Sequence, residues 1–277
     1  MISVIIPTSK THSLIKEIFT FLNEESKCLG EEIEVIVIKD GVNIELDWER
    51  IEQFNNFTLH VFSQPHKGPA AARNLGIRKA KGEIICFLDD DSLPQKNWLY
   101  EITLPFYQDN ADIVSGKIVS YNQKKESLSY LLEKSVYKPQ KRFATSNIAY
   151  KREVFDKIGL FDTRFRLASW EDNDLGVRAR LAGFRHIYNP QAVAKHQHEE
   201  TLEEFKEKAL RNGRGLAIFL RKYIFYPYIN LFFLYLTLRY LFLSFFLIFS
   251  RKMHTTYLKF FWSWYSLKGI FEEWLRM

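Results

Sequence analysis

Apolar runs alternate with amphipathic stretches along the N-terminal part of the chain. The runs that predict buried strands are Ile2–Ile6, Ile33–Ile38, Thr58–Phe62 and Glu83–Leu88. The stretches that predict helices between them are His12–Leu22, Asp47–Phe54 and Pro69–Lys79, the last with proline in its first turn and Gly82 beyond its end. Because strands that alternate with helices form parallel sheets with helical crossovers, this pattern predicts an α/β fold.

Beyond residue 100 the pattern is mixed rather than purely parallel. Further helices are predicted at Trp98–Tyr107, Arg152–Ile158 and Trp170–Leu181, and further strands at Asp112–Val119, Ala144–Tyr150 and Phe184–Tyr188, the last followed by a turn at Pro190. A capping box, Thr201–Glu204, opens a charged helix that runs toward Lys222. No repeat or linker interrupts residues 1–215, so we expect one domain there, with a mostly parallel central sheet flanked by helices. A helical tail is expected at 216–277.

The net charge of +6 is concentrated at the C-terminal end. Residues 1–200 carry a net charge of −1 and residues 201–277 carry +7, and 21 of the 44 aromatic residues lie between Phe219 and Trp274. A basic, aromatic and apolar tail is typical of binding to an anionic membrane surface, so we expect a membrane partner and no nucleic acid. The two cysteines, Cys28 and Cys86, lack Cys/His neighbours at metal-ligand spacing, which favours a reducing, cytoplasmic setting.

The tail contains two segments with different expected relations to a membrane. Tyr228–Phe249 is mostly apolar, and a helix of this length would extend about 33 Å, enough to cross a bilayer. Because Arg239 lies near its centre and basic residues flank both ends, an in-plane or re-entrant arrangement is favoured over a simple span. Tyr257–Met277 carries Trp and Tyr among charged residues and predicts an interfacial amphipathic helix. The alternative is an interface between copies in a homo-oligomer, or a helix pair that packs on the chain's own sheet.

Three consecutive carboxylates, Asp89, Asp90 and Asp91, follow the fourth predicted strand. Ligand sites in open α/β sheets lie outside the carboxyl ends of the strands, so this position suits a binding site. Asp89 and Asp91 can face the same way and hold Mg²⁺ or Mn²⁺ with a diphosphate, while Asp90 points elsewhere. The alternative is a solvated acidic turn near a helix N-terminus. Repulsion among three adjacent negative charges favours the metal site.

A Gly-Pro turn at Gly68 leads into a helix rich in small residues, with Arg73 and Asn74 in its first two turns. Such a helix allows close backbone approach, and these two side chains can reach the phosphates or the base of a ligand. The alternative is a tightly packed crossover helix with two polar surface residues, which is the better interpretation of this segment in isolation.

Taken together and in order, these segments resemble family 2 of the glycosyltransferases, which are inverting nucleotide-sugar enzymes with the GT-A fold. The matching N-terminal pieces are Ser3–Thr8, Val37–Gly41, Gly68–Ile77, Gly82–Glu83 and the Asp-x-Asp segment Phe87–Asp91. The matching downstream pieces are Gly159–Asp162, Trp170–Leu175, Arg178–Gly183 and Asn189–His196. The resemblance covers about 200 of the 277 residues, and the ordered set is specific although each piece alone is weak.

The resemblance implies roles for individual residues. It places the contacts to the nucleotide-sugar donor at Thr8, Asp40, Arg73, Asp89 and Asp90. It makes Asp91 the metal ligand, with His196 as a further candidate for the metal or diphosphate and His198 as a weaker one. It makes Asp172 the general base, which deprotonates the acceptor hydroxyl in an inverting displacement. Because a carboxylate at a helix N-terminus is stabilised as the anion, we expect Asp172 to be ready to accept a proton.

Two features refine this hypothesis. The chain has Lys39-Asp40 where the family commonly has two acidic residues, which leaves the base of the donor open. It lacks the Gln-x-x-Arg-Trp motif of processive members, so transfer of a single sugar is expected. The resulting hypothesis is a metal-dependent inverting glycosyltransferase at the cytoplasmic face of the cell membrane. Its donor is a nucleoside-diphosphate sugar, with UDP or dTDP favoured, and its acceptor is lipid-linked or a surface glycan.

Other functions fit the sequence less well. A catalytically inactive nucleotide-binding scaffold of the same fold is the alternative hypothesis, for which Lys39 is a motif-level hint. Sugar-1-phosphate nucleotidyltransfer requires a Gly-rich loop directly after the first strand, and Pro7–Lys10 contains no glycine. A dinucleotide-dependent dehydrogenase is excluded because no Gly-x-Gly-x-x-Gly follows a strand, and Gly213 and Gly215 lie within the charged helix.

Overall fold

The chain divides into two compact units. The computed structural model describes residues 1–9, 14–41, 54–122, 124, 127–128, 130–131, 143–198, 201–223 and 253–276. The first unit comprises Met1–Tyr121, Pro139–Arg166 and Glu171–Gln197, and the second comprises Asn122–Lys138, Leu167–Trp170 and His198–Met277. The boundary expected at residue 215 stays a prediction.

The first unit is built from alternating strands and helices. Its strands are β1 (Ile2–Thr8), β2 (Ile33–Asp40), β3 (Thr58–Gln64), β4 (Ile84–Phe87), β5 (Ser92–Pro94), β6 (Ile113–Ser120), β7 (Ile148–Lys151) and β8 (His186–His196). Its helices are α1 (Leu14–Leu29), α2 (Pro69–Lys79), α3 (Trp98–Gln108), α4 (Arg152–Ile158) and α5 (Glu171–Leu181). The predicted bounds of α2 and α4 are confirmed to the residue.

The strands form one mixed sheet in the order β3-β2-β1-β4-β7-β6-β8-β5. The pairs β1–β2, β1–β4, β2–β3 and β6–β8 are parallel. The pairs β4–β7, β6–β7 and β5–β8 are antiparallel. The expected α/β fold with a mostly parallel sheet is therefore confirmed.

Alternate residues of the central strands enter different halves of the core. Val4 and Ile6 of β1 lie in one hydrophobic cluster and Ile5 lies in the other, and in β4 Cys86 and Phe87 divide in the same way. Helices α1 and α3 contribute to the first cluster, and α2, α4 and α5 contribute to the second. Because helices cover both faces of the sheet, these strands are apolar along their whole length rather than at every second residue.

Strand β8 differs from its predicted form. The prediction ended it at Tyr188 with a turn at Pro190, but the strand continues to His196. Its register against β6 shifts between Gly116, which pairs with Asn189, and Lys117, which pairs with Val193. The irregularity places Pro190 where the ladder is interrupted, so the missing N–H of proline costs no ladder hydrogen bond. The extension is what carries His196 to the end of the sheet.

Two strands differ from the prediction, and one predicted helix cannot be compared. Strand β5 was not predicted, because only three residues pair with β8. Strand β7 begins at Ile148 rather than Ala144. The helix predicted at Asp47–Phe54 lies outside the described residues except for its last residue.

The second unit contains a pair of closely packed helices, α6 (Leu202–Lys222) and α7 (Met253–Arg276). The capping box that opens α6 is confirmed, because Glu204 N donates to Thr201 Oγ1 at 3.2 Å and Thr201 N donates to Glu204 Oε2 at 3.1 Å. The helices approach at glycines: a Cβ on Gly213 would lie 1.9 Å from the carbonyl oxygen of Ser266, and one on Gly269 would lie 2.2 Å from that of Leu210. Gly213 and Gly269 thus serve the packing of α6 against α7.

The predicted tail is described in part. Its last segment is helical as expected, within α7. The apolar segment Tyr228–Phe249, for which an in-plane or re-entrant arrangement was favoured, lies outside the described residues. Within the ranges that the structure describes, no helix combines the length and apolar character that a membrane span requires.

Asn74 of α2 generates a prediction about stability. Its Nδ2 donates to the carbonyl oxygen of Phe161 at 2.8 Å, and its Oδ1 accepts from Phe161 N at 2.9 Å. Asn74→Asp cannot donate, which leaves the buried carbonyl unpaired beside a negative charge. We expect a loss of about 1–3 kcal/mol in the free energy of unfolding, measured by urea titration. Asn55→Asp, at an exposed position, is the matched control and should change stability little. Equal effects of the two substitutions would contradict this account.

Candidate active site

The residues predicted to bind ligands gather at one edge of the sheet. Parallel pairing directs the carboxyl ends of β1, β2 and β4 to the same edge. Strand β7 is antiparallel to both β4 and β6, so β6 and its parallel neighbour β8 also end there. The side chains at or directly after these ends are Thr8, Asp40, Asp89, Asp90, Asp91 and His196. This edge is where ligands bind in open α/β sheets.

The three consecutive carboxylates have three different partners. Asp89 Oδ1 accepts from Arg73 Nη2 at 2.8 Å. Asp90 Oδ2 accepts from the hydroxyl of Thr8 at 2.5 Å. Asp91 Oδ1 lies 3.3 Å from Nε2 of His196. Asp90 therefore points away from its neighbours, as the sequence predicts.

Asp90 is the buried member of the three, with 9% of its surface exposed. The pKa of its carboxyl is raised to about 7, mainly by burial and also by the negative charges of Asp91 and Asp89, while the hydrogen bond from Thr8 acts to lower it. The pair of Thr8 and Asp90 joins the end of β1 to the segment after β4. Their predicted contacts to a donor stay predictions.

Asp89, Asp91 and His196 form a group that can hold a metal ion. One ligand atom from each lies within 4.8 Å of the others, and all three side chains are half-buried. The position of His196 follows from β8, where it pairs with Ser92 of β5, next to Asp91. Carboxylates suit Mg²⁺ or Mn²⁺, and the imidazole is a ligand more typical of transition metals than of Mg²⁺. The donor set therefore fits a divalent cation such as Mn²⁺ or Mg²⁺.

Asp40 organises the loop that leads into α2. It is buried, and its Oδ1 accepts from Gln64 Nε2 at 2.9 Å and from Lys67 N at 2.8 Å, while Oδ2 accepts from Gly68 N at 2.9 Å. Gly68 has a φ of 88°, and a Cβ there would lie 2.2 Å from the carbonyl oxygen of Arg166. Only glycine fits this turn. The predicted contact of Asp40 with a nucleotide stays a prediction, beside a structural role that the sequence did not indicate.

Arg73 lies inside the protein rather than on the surface of α2. Its side chain is 4% exposed, its Nη2 donates to Asp89, and its Nη1 donates to Glu171 Oε1 at 2.9 Å. Its Cζ lies 5.9 Å from the ring centroid of Phe161. The interpretation of α2 as a helix with two polar surface residues is wrong, because Arg73 and Asn74 are both buried. Charge pairing explains Arg73, since a buried guanidinium requires carboxylate partners.

Asp172 lies in the first turn of α5 and is half-buried. Its Oδ1 accepts from the backbone N and from the side-chain Nδ2 of Asn173, at 2.7 and 2.9 Å. The pKa of Asp172 is raised to about 7, mainly by burial and also by the negative charge of Glu171, while the backbone hydrogen bond from Asn173 and the charge of Arg73 act to lower it. Burial and Glu171 therefore oppose the stabilisation of the anion that is expected from the helix N-terminus. The role of Asp172 as the general base stays a prediction.

Glu171 is a site residue that the sequence did not reveal. Its side chain is 4% exposed, and its Oε1 accepts a hydrogen bond from Nη1 of Arg73. Burial raises the pKa of its carboxyl, and the positive charge of Arg73 opposes the rise. The available signal was the adjacency of two acids, Glu171 and Asp172. The partner of Glu171 lies 98 positions away along the chain, so the sequence could not identify it.

The family model for glycosyl transferase family 2 matches residues 3–169, more than half of the chain. The chain belongs to glycosyltransferase family 2. This family 2 chain is 26% identical over 235 residues to a pre-mycofactocin glycosyltransferase of Mycobacterium tuberculosis (strain ATCC 25618 / H37Rv), an alignment that covers 79% of this chain and 48% of the relative. The chain thus spans about half the length of that relative.

Solved structures agree with this assignment at the level of the fold. The mannosyltransferase PcManGT from Pyrobaculum calidifontis, in complex with GDP-Man and Mn²⁺, superposes with a TM-score of 0.60 at 22% identity, over 80% of this chain and 64% of that one. S. aureus TarS with UDP-GlcNAc superposes with a TM-score of 0.57 at 19% identity, over 81% of this chain and 73% of that one. The GT-A fold expected from the resemblance is confirmed.

The metal group of this family 2 protein can be tested by substitution. Asp91→Asn removes a charged ligand atom from the group formed with Asp89 and His196. We expect the affinity for Mn²⁺ with UDP, measured by calorimetry, to fall at least about tenfold, because changes outside the ligand shell already cost about 10- to 100-fold. Asp109→Asn, an exposed aspartate at the end of α3, should leave it unchanged. An affinity for Mn²⁺ with UDP that is unaltered in Asp91→Asn would exclude Asp91 as a ligand.

Proposed function

We propose that this protein is a metal-dependent inverting glycosyltransferase that moves a single sugar from a nucleoside-diphosphate sugar to an acceptor hydroxyl. The observation that carries the proposal is the arrangement at the sheet edge of a family 2 chain. Asp89, Asp91 and His196, which could hold a cation, lie there, and Arg73 connects Asp89 to the helix turn that carries Asp172. A site with a group for the leaving diphosphate and a carboxylate for the incoming hydroxyl has the two parts that an inverting transfer needs.

Asp172 acts as the general base in this proposal. It accepts the proton of the acceptor hydroxyl as the hydroxyl oxygen forms its bond to the anomeric carbon of the sugar. The bond from that carbon to the diphosphate oxygen breaks in the same displacement, which inverts the configuration, and the nucleoside diphosphate leaves with the electron pair. A divalent cation bound by Asp89, Asp91 and His196 would neutralise the charge that develops on the diphosphate. With a pKa of about 7, Asp172 is matched to proton transfer near neutral pH.

The donor class is supported by the two similar structures, which hold GDP-Man with Mn²⁺ in one case and UDP-GlcNAc in the other. Both are nucleoside-diphosphate sugars, so we extend this class to the present chain. UDP and dTDP remain the favoured nucleotides and GDP is the further candidate. The decisive experiment incubates the full-length protein with each nucleotide sugar and Mn²⁺ and measures release of the nucleoside diphosphate.

The alternative, an inactive nucleotide-binding scaffold, gives a different result in that experiment. It would bind nucleoside diphosphate with Mn²⁺ in calorimetry but release none from any donor. Release above that of an Asp172→Asn variant supports the enzyme, and binding without such release supports the scaffold.

We further propose that the protein works on a lipid-linked or surface-glycan acceptor at the cytoplasmic face of an anionic membrane. Helix α7 supports the proposal, because an exposed apolar stripe follows one of its faces, at Phe261, Trp264, Phe271 and Trp274. Trp274 is 73% exposed. The stripe lies on a chain segment with a net charge of +7, and basic segments rich in exposed aromatic residues bind anionic headgroups.

The role of Asp172 predicts a pH dependence. The base must be ionised to accept a proton, so kcat/KM should fall as the pH falls below about 7, by about tenfold per unit at pH values well below the pKa. The measurement is the rate of nucleoside-diphosphate release between pH 5 and 8. Asp172→Asn should lose turnover while it retains nucleotide binding. Asp156→Asn, an exposed aspartate of α4, should keep the wild-type profile. Retained turnover in Asp172→Asn would refute the base assignment.

The membrane proposal predicts the behaviour of α7 variants. The wild-type protein should float with vesicles that contain phosphatidylglycerol and much less with pure phosphatidylcholine, because the attraction is electrostatic as well as apolar. The triple substitution Trp264→Ser, Phe271→Ser and Trp274→Ser should reduce flotation. A matched pair at exposed tyrosines of the first unit, Tyr100→Ser and Tyr121→Ser, should not. Flotation unchanged by the triple substitution would exclude the stripe as the contact.

A further inference from the structure

Arg73 connects two parts of the site that lie far apart in the sequence. One guanidinium nitrogen donates to Asp89, which follows β4, and another donates to Glu171, which opens α5. The distances are 2.8 and 2.9 Å, and Arg73 and Glu171 are almost completely buried. Asp89 belongs to the cation-binding group, and Glu171 directly precedes Asp172.

The geometry of the guanidinium makes this connection stiff. Its nitrogens are held in a plane, so two carboxylates bound to different nitrogens have a fixed separation. A lysine ammonium is a single point of charge on a flexible chain and cannot impose the same separation. Because Arg73 and Glu171 are both buried, breaking this pair would leave uncompensated charges in the interior. The acids therefore stay on the guanidinium.

The backbone that carries Arg73 is itself held in place. The turn before α2 is bound by Asp40 through Lys67 N and Gly68 N. Asn74, the residue after Arg73, holds the backbone of Phe161 through two hydrogen bonds. Gly76 permits close contact with β1, because a Cβ there would lie 2.5 Å from the side chain of Ile5. Arg73 thus projects from a fixed helix.

We propose that Arg73 is a positioning residue that sets the place of Asp172 relative to the bound donor, through Glu171 on one side and Asp89 on the other. The proposal rests on the proposed glycosyl transfer and deepens it. Arg73 acts on the reaction through the two carboxylates, and Glu171 is the link to the base. Binding of the metal–nucleotide at Asp89 therefore affects the first turn of α5, through Arg73 and Glu171.

Two conservative variants test the contact of Arg73 with Glu171 and its contact with Asp89 separately. Glu171→Gln keeps the shape of the side chain and an acceptor for Arg73, but removes the charge that holds the first turn of α5. Arg73→Lys keeps the positive charge but does not hold the two carboxylates at a fixed separation. The matched controls are Glu153→Gln, an exposed first-turn glutamate of α4, and Arg78→Lys, an exposed arginine of α2.

The first readout is the division of the effect between turnover and binding. Glu171→Gln should lower kcat for the active donor about a hundredfold, as small misplacements of reacting groups do, while the Kd for Mn²⁺–UDP changes less than about twofold. If UDP does not bind, dTDP and then GDP replace it as the probe. Arg73→Lys should lower kcat and also weaken Mn²⁺–nucleotide binding, because it releases Asp89. The controls should match the wild type in both.

The second readout needs no turnover. Saturating Mn²⁺–UDP should slow amide hydrogen exchange in the first turn of α5 in the wild type and in both controls. In Arg73→Lys that protection should be lost even when the ligand is saturating. A residue with a structural role alone, or one that only contacts the nucleotide, would leave the protection intact once the ligand is bound.

The outcomes distinguish this proposal from the proposed function. Wild-type protein that binds Mn²⁺–nucleotide but turns over no donor refutes the transfer, and the exchange experiment then decides the role of Arg73 alone. Normal kcat in Glu171→Gln, or retained protection in Arg73→Lys, overturns the positioning role. Absence of any Mn²⁺–nucleotide binding overturns both proposals. If Arg73→Lys does not fold, Glu171→Gln carries the test with the same two readouts.

Discussion

Mutual repulsion among carboxylates is the constraint under which this sheet edge is built. The acids at the edge or in the adjoining turn of α5 are Asp40, Asp89, Asp90, Asp91, Glu171 and Asp172. Their negative charges are compensated in several different ways. Arg73 pairs with two of them from the interior, backbone N–H groups hold Asp40, and His196 lies beside Asp91. Asp90 and Asp172 have raised pKa values, since burial and their acidic neighbours favour the neutral form. Acids in such unequal environments can take unequal roles.

The scaffold that holds these acids uses close packing rather than additional charge. The turn into α2 exists because Gly68 adopts a left-handed φ and leaves room for the carbonyl oxygen of Arg166. Gly76 brings the same helix against β1, and Asn74 pairs with the backbone of Phe161. A helix fixed at three points presents Arg73 in one orientation, and well-packed surroundings keep a site at its working geometry.

The helix pair of the second unit also depends on close packing at glycines. Gly213 and Gly269 let α6 and α7 approach closely. An ion pair between Arg214 and Glu272, at 2.6 Å, joins the two helices as well. One face of α7 is used in this packing. The opposite face carries the exposed aromatic residues, which are unusual on a solvent-facing surface and are typical of contact with another apolar phase. Packing therefore determines which face of α7 is presented outward.

The sequence by itself determined the alternation of strands and helices, the limits of α2 and α4, and the positions of Asp89, Asp91 and Asp172 at element ends. These features depend on neighbours within a few residues, through apolar periodicity, proline and glycine. Only the tertiary structure decided that β8 reaches His196, that Asp40 holds a loop, and that Arg73 joins Asp89 to Glu171. Those features arise from pairings between residues that are far apart in the sequence, such as Arg73 with Glu171 across 98 positions. Their partners are determined by the register of the strands and the packing of the helices. The pKa of Asp172 belongs to the second group, because the helix N-terminus is a local effect whereas burial is decided by the whole fold.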